Sequence, residues 1–258
     1  MAETIFMIHG MFAGAWVWSN FKGFFEEKGY RCVTTTLRFH DIDQETPDPQ
    51  LGTTSLLDYA DDLEQEIRQL GVKPVVMGHS MGGLLAQMLG SRGLAKTLVL
   101  LAPASPAGIL PLKLSAMRAF LSTVTQWGFW KKPIRPTFKE VLYSAFHLMP
   151  PEEQHAIYDK FGYESGRAGC EIGLWFFDSK GASRVDESKV TCPVLVIAGT
   201  EDRMTPASVV RKVAMKYKAV ATYKEFKQHA HWVVGEPGWE AITAYIAGWL
   251  DQTLREGV

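Results

Sequence analysis

One stretch limits what this chain can fold into more than any other: Val75-Val76-Met77-Gly78-His79-Ser80-Met81-Gly82-Gly83, running straight into Leu84-Leu85-Ala86-Gln87-Met88-Leu89. A short valine-rich apolar run breaks at a glycine and restarts at once with a helical pattern. That reads as a buried strand, a very sharp turn and a helix, with Ser80 at the apex of Gly-x-Ser-x-Gly. A serine exposed at the end of a buried strand needs such a turn and sits there in a strained backbone conformation. Residues two before and two after it come close together, so Gly78 and Gly82 remove a collision between side chains. The helix that begins at the turn aims its unpaired N–H groups and positive dipole end at the serine, where an oxyanion would form. The competing reading is a glycine-rich junction with a solvent serine, which the bare pattern permits in a chain with 23 glycines. The strand before, the helix after and the extra small residue Gly83 favour the functional reading.

The rest of the chain supports a parallel sheet. Thr4–Ile8 is continuously apolar and ends at His9-Gly10, as a strand buried on both faces would. A helix through Phe21, Phe24 and Phe25, capped by Ser19 or Asn20, stops at Gly29. Tyr30–Leu37 is the next strand, and the polar, proline-bearing segment from Asp41 to Gly52 a surface loop. Thr53 or Thr54 opens an amphipathic helix through Leu57, Ala60, Leu63, Ile67 and Leu70, closed by Gly71. Leu98–Leu101 follows the serine turn and its helix as another buried strand. Up to this point strand and helix alternate, which implies parallel strands with helices on both faces. The alternation lapses from about Ser105 to Lys189, where helices are expected around Leu112–Thr125, Phe138–Phe146 and Glu152–Phe161, amid many large apolar residues. Strands return at Val194–Ala198 and Val220–Phe226, with helices after Pro206 and from Trp239 to Leu254. The expected organisation is an α/β core of about six strands, residues 1–104 and 190–258, with a helical cap, residues 105–189, inserted between its halves.

Composition narrows the function. The chain has 258 residues, enough for one large domain or a core with a modest insertion, and 47% of them are apolar. The formal net charge is −1 and the basic residues are scattered, so no nucleic-acid partner is expected. Arg211, Lys212, Lys216 and Lys218 fall at helical spacing and read as a solvated face. Three cysteines, Cys32, Cys170 and Cys192, are far apart without metal-ligand spacing, which points to free thiols and no metal. The start of the chain leads directly into a strand, and no apolar run approaches membrane-spanning length. The expectation is therefore a cytoplasmic protein without a membrane partner.

A serine hydroxyl needs a neutral histidine to take its proton, and the histidine needs a carboxylate to fix its tautomer and stabilise the imidazolium. These partners belong at the carboxyl ends of later strands, acid before histidine. Val194–Ala198 leads into Gly199-Thr200-Glu201-Asp202, which makes Asp202 the candidate acid. Glu201 reads as solvated, and a helix-capping role is the alternative for Asp202. After the last strand, Gln228-His229-Ala230-His231-Trp232 offers two bases: His231 is preferred, with His229 as the alternative. His79 belongs to the turn and is expected to pack beneath it. An oxyanion hole needs two backbone donors, for which Met81, after the serine, and Met11, in the turn after the first strand, are the candidates. Phe12 and Trp232 are candidate substrate contacts.

With these residues in place, the chain resembles enzymes of the α/β-hydrolase fold over essentially its whole length. The resemblance rests on His9-Gly10, Gly78-His79-Ser80-Met81-Gly82-Gly83, Gly199-Thr200-Glu201-Asp202 and His231-Trp232. It implies an eight-stranded fold whose first two strands are absent here, and a variable cap over the site. The segment from His9 to Trp18 is similar to the opening of plant hydroxynitrile lyases and methylesterases. Those lyases have a threonine in the opening turn and a lysine just after the histidine, where Met11 and Trp232 stand here, so cyanohydrin cleavage is disfavoured. The aspartate nucleophile of dehalogenases and epoxide hydrolases of this fold is excluded by Ser80. The function expected is cofactor-free serine hydrolysis of a small-to-medium, apolar carboxylic ester through an acyl-enzyme. Thioester, lactone or carbon–carbon bond hydrolysis with the same residues is an alternative, and so is a ligand-binding receptor built on the same fold.

Overall fold

In the computed structural model, which describes residues 2–41, 46–110 and 113–256, a six-stranded sheet forms the centre. In chain order the elements begin with β1 (Thr4–Ile8), α1 (Ser19–Glu27), β2 (Arg31–Thr34), α2 (Leu56–Gln69), β3 (Val75–His79), α3 (Met81–Ser91) and β4 (Thr97–Leu101). The segment that follows holds α4 (Leu114–Ala119), α5 (Leu121–Val124), β5 (Pro133–Ile134), α6 (Phe138–Val141), α7 (Pro151–Tyr158), β6 (Glu164–Ser165) and α8 (Gly166–Gly173). The chain then rejoins the sheet with β7 (Val194–Gly199), α9 (Ala207–Lys216), β8 (Ala221–Phe226) and α10 (Trp239–Glu256).

The sheet order is β2-β1-β3-β4-β7-β8, every neighbouring pair parallel. Helices cover both faces, so the central strands are apolar on successive residues and β1, β3, β4 and β7 are buried along their length. Alternate residues serve opposite faces. Phe6, Ile8, Val76, Leu98, Leu100 and Val196 pack with α2, α3 and α9, whereas Ile5, Met7, Val75, Met77, Val99 and Ile197 pack with α1 and α10. From β1 the chain first goes outward to β2 and then returns past β1 to β3. Connections leaving the carboxyl ends of β1 and β3 therefore diverge, and they open a crevice there.

Some expected elements differ. Strand β2 ends at Thr34 rather than Leu37, because the chain leaves the sheet for the Leu37 N–H to donate to Nε2 of buried His9 at 3.1 Å. Helix α2 is capped by Ser55, not by Thr53 or Thr54. Those threonines belong to or border a 3₁₀ turn over Pro49–Thr53, while Ser55 and Asp58 form a reciprocal capping box. Of the expected Asp41–Gly52 loop, residues 42–45 lie outside the described residues, as does Leu112 at the start of the next expected helix. That helix is broken at Phe120 into α4 and α5, and the expected Phe138–Phe146 helix changes to a π turn after Val141.

The segment from Ser105 to Lys189 carries two features that the sequence pattern conceals. Strands β5 and β6 form a two-residue antiparallel pair, too short to show a period. Helix α8, Gly-Arg-Ala-Gly-Cys-Glu-Ile-Gly, has poor intrinsic helix propensity. Contacts hold it instead. Ser165 Oγ accepts from the Ala168 N–H at 3.1 Å, and a Cβ at Gly166 would stand 1.8 Å from the Phe129 carbonyl oxygen. Glu171, buried on α8, accepts from Ser55 Oγ and the Leu56 N–H at the start of α2, both at 2.8 Å. Nearby, buried Glu164 pairs with His40 at 3.1 Å and accepts from the Tyr59 hydroxyl at 2.7 Å. Two buried carboxylates thus tie the inserted segment to the core.

Candidate active site

Ser80 sits between β3 and α3 at φ 54° and ψ −119°, a conformation that L-residues rarely adopt. Glycines make the turn possible. A Cβ at Gly78 would fall 2.1 Å from the Gly82 carbonyl oxygen, and one at Gly82 would fall 2.2 Å from that of Ile8. At Gly10, in the turn after β1, a Cβ would come within 2.9 Å of Ser80 Cβ. The turn after β1 therefore lies directly against the serine.

Two other loops converge on it. Asp202 follows β7 and His231 follows β8, and the loops approach closely because Gly199 lacks a side chain: a Cβ there would meet the His229 carbonyl oxygen at 2.3 Å. His231 Nε2 lies 2.9 Å from Ser80 Oγ, and His231 Nδ1 lies 2.8 Å from Asp202 Oδ2. With the carboxylate accepting at Nδ1–H, Nε2 is left free to accept the serine proton. All three side chains are nearly shielded from water, at 7%, 5% and 3% exposure for Ser80, Asp202 and His231. The Asp202 carboxylate is held in place on both oxygens. Oδ1 accepts the Met204 and Thr205 N–H groups, each at 2.8 Å, and Oδ2 accepts the Thr205 hydroxyl at 2.8 Å. Burial works against its charge, but the charge and hydrogen bond of His231, with the hydrogen bonds from Thr205, prevail and hold its pKa below the usual value.

His79 and His229 have different surroundings. His79 donates from Nε2 to the His231 carbonyl at 2.8 Å, so it props the base-bearing loop from beneath the turn. Burial and the nearby His231 lower its pKa to about 3, which keeps it neutral. His229 pairs through Nδ1 with buried Glu236 at 2.9 Å, and Glu236 also accepts the Ala230 N–H. It pins the loop and is not the ring at the serine. Glu201 is exposed. The Met81 N–H opens α3, where a helix has no internal acceptor for it, and Met11 lies in the turn carried against Ser80 by Gly10. Phe12 is buried at φ 66°, and Trp232 is buried within ring-contact distance of Trp16, His79, Phe146 and Phe161.

Ser80 stands between two cavities. A large one of about 620 Å³ has apolar walls that include Ala116, Phe120, Leu121, Phe129 and Ile134 of the inserted segment. A small one of about 30 Å³ is enclosed by Phe12, Val141, Ala145, Phe161, His231 and Trp232. Met11, Ser80 and Met204 line both. The sequence reading assigns no role to Met204 or Thr205; the three-residue step from Asp202 to Thr205 is the signal present. Of the aromatic residues between β4 and β7, Phe120 and Phe129 reach the large cavity, while Trp127 and Phe177 are 86% and 80% exposed. Among the described residues no cluster of three or more His, Cys, Asp or Glu side chains fits a metal ion, and no helix is long and apolar enough to cross a membrane.

Comparison with known proteins agrees with this architecture. No curated protein sequence matches. Among solved structures, the chain is similar to a monoacylglycerol lipase from Paleococcus ferrophilus, with 21% identity over 96% of this chain and 93% of that one at a TM-score of 0.69. It is similar to a methylesterase from Arabidopsis, with 13% identity, 97% and 99% coverage and a TM-score of 0.72. A thermophilic esterase from Thermogutta terrifontis gives 20% identity, 98% and 91% coverage and a TM-score of 0.69. At these identities the likeness is one of fold. The sequence profile of the alpha/beta hydrolase family matches residues 5–241, and the chain belongs to that family.

Proposed function

We propose that this protein is a serine hydrolase that cleaves carboxylic esters through an acyl-enzyme. The observation that carries this is the continuous hydrogen-bonded path from Ser80 Oγ through His231 to Asp202 at the neck between two cavities. Ser80 Oγ attacks the ester carbonyl carbon while His231 Nε2 takes its proton. The carbonyl π electrons move to oxygen, and the Met11 and Met81 N–H groups hold that oxyanion. Removing one such donor would raise the barrier by about 3 kcal/mol. Collapse of the tetrahedral intermediate breaks the carbon–oxygen bond of the alcohol, which leaves with the proton from His231. Water then repeats the sequence and frees the acid and Ser80. Asp202 keeps His231 in the accepting tautomer and stabilises the imidazolium. The scheme uses no cofactor. Residues 105–189 act as a cap that walls the acyl site, and the likeness in fold to esterases and a lipase agrees with ester chemistry.

In the experiment that tests this, Ser80→Ala is assayed on a panel of carboxylic esters with intact folding checked by circular dichroism. Turnover should fall by about 10⁶. Near-full activity in the variant would contradict the proposal.

A further inference from the structure

The two cavities differ in size by more than an order of magnitude, and they differ in which catalytic side chain they contact. His231 lines the small one of about 30 Å³ and not the large one of about 620 Å³. The large cavity adjoins Met81 at the start of α3 instead. Acid catalysis fixes which half of an ester goes where. The oxygen of the departing alcohol must lie within hydrogen-bond reach of His231 Nε2 to receive its proton. The water that later attacks the acyl-enzyme must occupy that same place, since it gives its proton to the same nitrogen. The alcohol therefore belongs on the small side and the acyl group on the large side.

We infer that the substrates are esters of sizeable apolar carboxylic acids with methanol or an alcohol scarcely larger, a specificity that rests on the hydrolase reading above. A volume of about 30 Å³ takes roughly two water molecules, since one needs about 10–15 Å³. That accommodates a leaving methanol or a hydrolytic water. Its walls leave little scope to widen. Phe12, Val141, Ala145, Phe161 and Trp232 are all at most 5% exposed, and Phe146 meets Phe161 and Trp232 edge-to-face at ring separations of 5.4 and 5.2 Å, with Phe161 and Trp232 themselves 5.6 Å apart. The large cavity falls within the roughly 300–1,000 Å³ range of sites that bury most of a drug-sized ligand. Its apolar lining would accept a hydrocarbon chain or ring system without leaving polar groups unpaired.

The test compares isomeric esters on the purified protein, with rapid labelling of Ser80 by a fluorophosphonate as the independent check on the nucleophile. Methyl decanoate and nonyl acetate have the same atoms with the two halves exchanged. The kcat/KM for methyl decanoate should exceed that for nonyl acetate, and that for pentyl decanoate, by at least about tenfold. Phe161→Ala, which enlarges the small cavity, should raise the pentyl-to-methyl ratio about tenfold; Val141→Ala, a smaller change in the same wall, replaces it if that variant does not fold. Preference for nonyl acetate, indifference to alcohol size, or a labelled Ser80 with no turnover of either series would overturn this specificity while leaving the nucleophile in place. Failure of both labelling and turnover would instead remove the hydrolase reading on which it rests.

Discussion

At the scale of single residues, the positions that chemistry demands were the most legible ones. Ser80, Asp202 and His231 stand out because an exposed serine needs glycines around it and its partners must follow in a set order. The choice between His229 and His231 was open in the sequence, since both lie in the same loop. Contacts through space separate them: Glu236 engages His229, and His231 reaches Ser80. Thr205 was missed because its value depends on where its hydroxyl points. That hydroxyl is 2.8 Å from Asp202 Oδ2 and 3.0 Å from the Ala102 carbonyl oxygen, so its single proton serves either acceptor. Replacing it with an isosteric methyl, Thr205→Val, removes one donor from the carboxylate and leaves that oxygen more basic toward His231. The carboxylate is then held by one bond fewer and orients the His231 ring less firmly. A loss of about tenfold at neutral pH is expected, equivalent to roughly 1.4 kcal/mol. Thr205→Ser, which restores the hydroxyl, should recover most of that loss in steady-state assays.

Elements were legible where their own pattern sufficed. The buried strands β1, β3, β4 and β7 are continuous apolar runs, and α2 carries a clear apolar stripe. Helix α8 and the β5–β6 pair owe their existence to partners elsewhere in the chain, so neither propensity nor period revealed them. The same partners make the docking of the inserted segment dependent on pH. Burial opposes a charge on His40, but the charge and hydrogen bond of Glu164 overcome it and raise the His40 pKa above its ordinary value. Stability from this pair is therefore fully present below the unfolded value of about 6.5 and is lost as pH rises through the folded value. Amide hydrogen exchange over 164–173, corrected for the intrinsic rate, should speed up across that rise in pH. In His40→Ala the exchange should already be fast at low pH, with its pH response flattened. An unchanged pH response in the variant would show that another group controls the docking.

For the whole molecule, alternation of strand and helix disclosed a parallel sheet, its six strands and the place where the pattern is interrupted. The order β2-β1-β3-β4-β7-β8 was not written in the pattern itself, because adjacency in a sheet is settled by which faces pack together. That order places the crevice between the ends of β1 and β3, and described residues between β4 and β7 line both cavities at Ser80. The sequence indicated apolar bulk there but not its division into a large and a small chamber. The central claim is that this architecture activates one serine hydroxyl. Incubation of the intact protein with a fluorophosphonate, followed by peptide mass mapping, tests it most directly. The account predicts one covalent adduct per chain, on Ser80, with labelling slowed by several orders of magnitude in His231→Ala; no adduct, an adduct elsewhere, or undiminished labelling in the variant would contradict it.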